Sequence, residues 1–387
     1  MSATSLMLNA EWSMLLAACS AAPGEEKLRH LRGLLEHPLN WKSLSALASC
    51  NGAQPLLYQA LLPVADAVPA EEMQSLKQSY HTNLQKALLL SREFVRILDQ
   101  LSRLGMEVMP YKGLALAETL YGDITLRQSG DIDLLIHAED LSRVREAVGE
   151  LGYVPHVPLS EVQEQVYLKT GYECAFDGAA GRNLLEVQWA IQPRFYAIDF
   201  DMAGIFQRAI TVTVAEQPVK TPSYEDLLLI LSAHAAKHVW ERLVWLCDIA
   251  RLIQLPDLNW NWVGSQARAL GISRILRVTM LAAKRLLEVP LPEAAQACLP
   301  KDSGASEIAD GIVGYITSET DYNVESLAYF RLMMRLRERS IDRQRFLRRL
   351  VFTPGPSEWQ TVRLPRPLYP LYRLVRLSRL AARLVRT

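Results

Sequence analysis

The hydrophobic periodicity of this 387-residue chain changes at Gly105, and that change limits the architectures open to it. Up to residue 104, WSMLLAACSA, EEKLRHLRGLLEH, WKSLSALASCNGA and SLKQSYHTNLQKALLLSREFVRILDQLSRLG carry apolar residues at three-to-four spacing, which predicts helices. From 105 to 220 the elements shorten and alternate. MEVMPYKG predicts a strand ending in a turn, ALAETLYG a helix, DIDLLIH a strand and LSRVREAVGELGY a helix ended by Gly152. GYECAFDGAAGRNLLEVQWAI then predicts a hairpin turning on DGAAGR. Helical spacing resumes at Ser223, an N-cap residue with Glu225 and Asp226 in the first turn. The predicted class is α+β, with a small mixed, largely antiparallel sheet flanked by helical N- and C-terminal regions. The expected divisions are 1–104, helical; 105–220, the α/β core; 221–352, helical; and 353–387, a Pro-rich connector with a basic tail helix.

Within that core, RQSGDIDLLI sets Asp131 and Asp133 two apart at the head of an apolar run. Strand side chains alternate faces, so both carboxylates point the same way, roughly 6–7 Å apart. Their repulsion costs about 2–3 kcal/mol at an effective dielectric near 20, and something positive should offset it. A divalent cation does so: Mg²⁺ prefers carboxylate oxygens and leaves coordination for water and phosphate. Two such ions can stabilise the attacking and leaving oxygens of a phosphoryl displacement. A third carboxylate from another strand is then expected, and Glu186 in NLLEVQW is the candidate, sharing a face with Gln188 while Leu185, Val187 and Trp189 face away. On residue pattern alone, solvated charges at a sheet edge are the better description of the three acids.

Context separates the two readings. YKGLALAETLYG places a Gly turn and a helix about twenty residues before the aspartates, and the whole pattern resembles the nucleotidyltransferase superfamily built on the DNA polymerase beta palm. It is most similar to the bacterial uncharacterised nucleotidyltransferase family. The resemblance rests on Lys112-Gly113, on Arg127 with Ser129-Gly130-Asp131-Ile132-Asp133, on Glu186-Val187-Gln188-Trp189, and on HAAKHVWERLVWLCDIA, in that order. It implies a metal-dependent transfer of a nucleoside monophosphate from an NTP to an acceptor, with pyrophosphate released. Asp131, Asp133 and Glu186 would hold two Mg²⁺ or Mn²⁺ ions, and Glu186 would favour deprotonation of the acceptor. Nucleotide contacts would come from Lys112, Gly113, Arg127, Ser129 and Gly130 on the core side, and from His234, Lys237, His238 and Arg242 on the helical side. Members of this family are commonly associated with polysaccharide and peptide natural-product gene clusters, so sugar, peptide or small-molecule acceptors are all open. Two positions depart from the pattern. Gly113 is followed by Leu114 where the superfamily turn has a second small residue, and Gln188 stands where His is frequent.

Projected as one helix at about 100° per residue, HAAKHVWERLVWLCDIA gathers His234, Lys237, His238, Glu241, Trp245 and Asp248 into a narrow stripe flanked by Arg242. That stripe reads as a face on a wet cleft, or as a set of helix-stabilising side-chain pairs. His234 and His238 at i, i+4 are a weak zinc signal without the adjacent Glu of H-E-x-x-H.

Charge is balanced over the chain but not along it. Residues 331–387 hold fifteen arginines and three acids, while the rest carries the compensating negative excess. Arg373, Arg376, Arg379, Arg383 and Arg386 recur at three-to-four spacing in the last segment. Such a basic amphipathic helix packs on an acidic body or lies on anionic lipid. No nucleic-acid signature of aromatics within a Gly/Lys/Arg motif accompanies it, and a nucleic-acid partner is not expected. Five scattered cysteines without C-x-x-C fit a reduced compartment. LLAACS resembles a lipoprotein cleavage site, but no Lys or Arg precedes it and Asn9 and Glu11 break the apolar run. The expected location is cytoplasmic, with peripheral contact at the inner membrane through the tail. Two other readings follow from the residues: a nucleotide-binding partner or regulator without turnover, motivated by Gly113-Leu114, and a peripheral membrane scaffold using the arginine-rich tail.

Overall fold

The computed structural model describes residues 8–179, 183–318, 326–362 and 364–386. Five N-terminal helices end in the long Ala70–Arg103 helix, after which the sheet begins. Its strands are β1 (Val108–Pro110), β2 (Asp131–Ile136), β3 (Val154–Pro155), β4 (Glu173–Asp177) and β5 (Leu184–Gln188), in the spatial order β1-β2-β5-β4-β3. The β2–β5 pair is parallel and the other three pairs are antiparallel. The sheet is therefore small, mixed and largely antiparallel. A second antiparallel pair, β6 (Ile210–Val214) with β7 (Gln217–Thr221), was not expected from the sequence. Nor were β3 and the Glu161–Thr170 helix, which Ser160 and Gln163 close with a capping box. Residues 180–182 of the DGAAGR turn lie outside the described residues.

Alternation sorts β2 and β5 into two faces. Ile132, Leu134, Ile136, Leu185 and Val187 pack with Phe94, Ile97 and Leu101 of the long helix and with Val144 and Val148 of the Leu141–Glu150 helix. The opposite face carries Asp131, Asp133, Glu186 and Gln188, and on β4 Glu173, which register sets beside Gln188. This polar face does not run the length of β2. Leu135 is fully buried in a second core that joins N-terminal residues such as Trp12, Leu15 and Leu57 to C-terminal residues such as Leu228, Leu246 and Ile275. The first and last helical regions thus share one interior, and the carboxylates occupy the gap it leaves over the sheet.

Ser223 caps the next helix, Tyr224–Lys237, its Oγ accepting from the Asp226 amide at 3.2 Å. The single helix expected over HAAKHVWERLVWLCDIA is corrected here. One helix stops at Lys237 and another runs Leu243–Ile253, with Val239 and Trp240 at φ of 54° and 52° between them. Left-handed backbone is costly for Val and Trp. The compensation is burial: Trp240 is fully enclosed and its Nε1 donates to Thr279 Oγ1 at 3.0 Å.

The tail helix, Tyr372–Arg386, packs on the protein by one side. Tyr372 is buried, donating to the Val362 carbonyl at 2.9 Å, while Arg376 and Arg379 reach both oxygens of Glu358 at 3.3 and 2.8 Å. Leu368, Leu371, Leu374 and Leu377 are exposed. The side chains of Arg383 and Arg386 lie outside the described residues. Among the described residues, no helix is long and apolar enough to cross a membrane.

Candidate active site

The site is built from the Gly113 turn upward. Gly113 starts the Gly113–Tyr121 helix at φ 51°, and a Cβ there would stand 2.8 Å from Ser129 Oγ and 3.2 Å from the Asp131 carbonyl. Only glycine meets both demands. No side chain caps this helix start, so its first N–H groups remain available to an anion.

Parallel pairing sets Asp133 directly beside Glu186, with Asp131 one pleat away on the same face. Lys112 Nζ is 3.0 Å from Asp133 Oδ1. Burial, the largest influence on Lys112, works against its charge, but Asp133, Tyr111 and Glu186 together hold its pKa well above the ordinary lysine value. Gln188 ties the acids together: its Nε2 donates to Glu186 Oε2 at 3.1 Å, Glu173 Oε2 at 3.3 Å and Asp133 Oδ1 at 3.4 Å, while its Oε1 accepts from the Tyr111 hydroxyl. Crowding shows in the proton affinities. Burial, then Asp133, raises Asp131. Burial, then Asp133 and Glu173, pushes Glu186 up to about 8. Glu173 is raised by burial as well.

A cavity of about 630 Å³ opens over these groups, within the range of small-molecule sites. Its sheet side is lined by Lys112, Gly113, Asp131, Asp133, Glu173 and Glu186, with Arg127, Ser129 and Gly130 at one end. Its helical side is lined by His234, Lys237, His238, Arg242 and Trp245. Burial leads the lowering of both imidazoles, His234 well below its usual value and His238 to about 3, with Lys112 and Lys237 adding to each. Lys237 is itself lowered to about 8, chiefly by burial. This wall is therefore less positive than its composition suggests.

The match to a family model, the uncharacterised nucleotidyltransferases, runs over residues 37–288 and so takes in both walls of this cavity. The chain belongs to that nucleotidyltransferase family. No curated relative matches it. Among solved structures, a crystal structure of ANT(2")-Ia in complex with adenylyl-2"-tobramycin is 18% identical, covering 47% of this chain and 97% of its own, with a TM-score of 0.35. A crystal structure of an antigenic nucleotidyltransferase-like protein from Paracoccidioides brasiliensis is 17% identical over 54% of this chain and 95% of its own, with a TM-score of 0.31.

In this nucleotidyltransferase, all twelve residues singled out in the sequence line the same cavity. Arg127 differs from its expected freedom to meet phosphate. Its Nε and Nη2 grip both oxygens of Asp248 at 3.0–3.1 Å, and Tyr121 donates to the same carboxylate at 2.8 Å. Asp248, expected on the cleft stripe, is wholly buried in that pair. Lining residues not anticipated include Tyr172 and Glu173, together with Ser49, Cys50 and Gly52 from the N-terminal helical region, Gln128 and Val244. For Glu173 the signal in the sequence was an acid in the partner strand of Glu186, readable only once the hairpin register is known. Among the described residues, no three His, Cys, Asp or Glu side chains stand together as a site that would hold an ion unaided. The oxygen donors nevertheless suit a hard cation that takes one or two carboxylates and completes its shell with phosphate and water.

Proposed function

We propose that the protein transfers a nucleoside monophosphate from an NTP to an acceptor hydroxyl or phosphate on a sugar, peptide or small molecule. The observation that carries this reading is the register pairing of Asp133 with Glu186, beside Asp131, in a cavity that also holds the uncapped helix start at Gly113. Asp131, Asp133 and Glu186 would hold Mg²⁺ or Mn²⁺, which when bound neutralises developing charge on the phosphates. The N–H groups at Gly113 and Leu114 receive the β- and γ-phosphates, and Lys112, released from Asp133, adds charge there. An acceptor oxygen attacks the α-phosphorus as the bond to the β-phosphate oxygen breaks, and the electron pair leaves with pyrophosphate. Glu186, beside Asp133 on the same face, favours loss of the acceptor proton.

The test is pyrophosphate release from each of the four NTPs with Mg²⁺ or Mn²⁺ over a panel of sugar and peptide acceptors. Asp131→Asn should lower release about a hundredfold or more with an unchanged circular-dichroism spectrum. Binding of NTP without release over every acceptor would instead support a non-catalytic partner.

A second reading concerns location. Leu368, Leu371, Leu374 and Leu377 are exposed beside the arginines of the tail, and such a surface suits peripheral attachment of a cytoplasmic protein to anionic lipid. Flotation with phosphatidylserine vesicles should be lost on truncation at Pro365, and flotation unchanged by truncation would remove this reading.

A further inference from the structure

The wall facing the carboxylates sets three aromatic rings beside Lys237 and Arg242, and holding a triphosphate does not require the rings. His234, His238 and Trp245 form a triangle with ring centroids 4.9, 5.0 and 5.4 Å apart. The Arg242 guanidinium lies 6.0 Å from the Trp245 ring centroid. Trp240, five residues away, shows what a purely structural tryptophan looks like in this segment: fully enclosed, with its N–H given to Thr279. Trp245 differs, being partly exposed and lining the cavity. The break between the two helices creates this difference, since it turns Trp240 inward and leaves Trp245 on the opening.

Phosphates are held by charge and by backbone N–H groups, and the Gly113 turn and Lys112 supply these on the sheet side. Neutral rings and an arginine plane instead suit a flat heterocycle, which stacks on them with little regard for its identity. We propose that Trp245, His238 and Arg242 form the seat for the base of the nucleotide, resting on the nucleotide-transfer reading above. The base stacks on Trp245, Arg242 covers it from the rim, and the triphosphate extends across the cavity to Gly113. Because stacking dominates, the seat separates a nucleotide from bare polyphosphate far more than it separates one base from another.

Isothermal titration of the full-length protein with ATP, UTP and inorganic tripolyphosphate, each with Mg²⁺, tests this. Both nucleotides should bind at least about tenfold more tightly than tripolyphosphate. Trp245→Ala should remove that gap while leaving tripolyphosphate affinity in place, and Trp245→Phe should keep most of it. If nucleotides and tripolyphosphate bind the unaltered protein equally, or Trp245→Ala weakens both alike, the base seat is wrong and nucleotide transfer survives. If neither ligand binds the unaltered protein, the transfer reading falls and takes the seat with it.

Discussion

The two walls of the cavity differ in how they are made. On the sheet wall, hydrogen-bonded register places each carboxylate, so Asp131, Asp133 and Glu186 follow from a period of two. On the helical wall, His234 and Trp245 belong to different helices and meet across a break whose geometry depends on Trp240 reaching Thr279. The walls differ in charge as well. Burial and mutual repulsion drive Asp131 and Glu186 toward holding protons, while burial drives the imidazoles toward losing them. A local pattern builds the acidic wall, and a distant packing contact builds the aromatic one.

Breaking the sheet wall should have the largest effect. Glu186→Gln keeps the shape and removes the carboxylate, and pyrophosphate release should fall about a thousandfold with little change in melting temperature. Retained release would move proton transfer to Glu173. Next in size is the buried pair below the cavity. Arg127→Met leaves Asp248 uncompensated and should cost about 3–5 kcal/mol in denaturant unfolding. Arg127→Met combined with Asp248→Leu should recover much of that, whereas a purely ligand-facing Arg127 would leave stability untouched. A smaller change tests the break: Trp240→Phe keeps the aromatic fill but loses the bond to Thr279, costing about 1 kcal/mol.

The smallest expected effect is a pH dependence of the helical wall. His238 stays neutral in the fold down to about 3, so the unfolded chain binds the extra proton below its usual 6.5. The share of stability linked to His238 is therefore fully present above pH 6.5 and is lost as pH drops from there toward 3. His238→Gln should flatten the melting-temperature profile between pH 6.5 and 4.5. An identical slope in the variant would mean that His238 is solvated and titrates normally.

These differences explain what was legible beforehand. The α+β class, the strand carrying Asp131 and Asp133, the facing of Glu186 and the Ser223 cap are all decided by residues within a few positions of each other. Glu173 was hidden because its place opposite Gln188 depends on a hairpin register that the DGAAGR stretch leaves ambiguous. The break at Val239 and Trp240 has no Gly or Pro to announce it. Arg127 and Asp248 lie 121 residues apart, so no local pattern could join them.

The core shared by the first and last helical regions bears on how the protein is made. Leu15 and Leu57 emerge from the ribosome long before Leu246 and Ile275, with which they share an interior. At ordinary elongation speeds that interval is on the order of ten seconds or more. Throughout it the nascent N-terminus presents unburied leucines, an aggregation hazard that ends only when the later helices arrive.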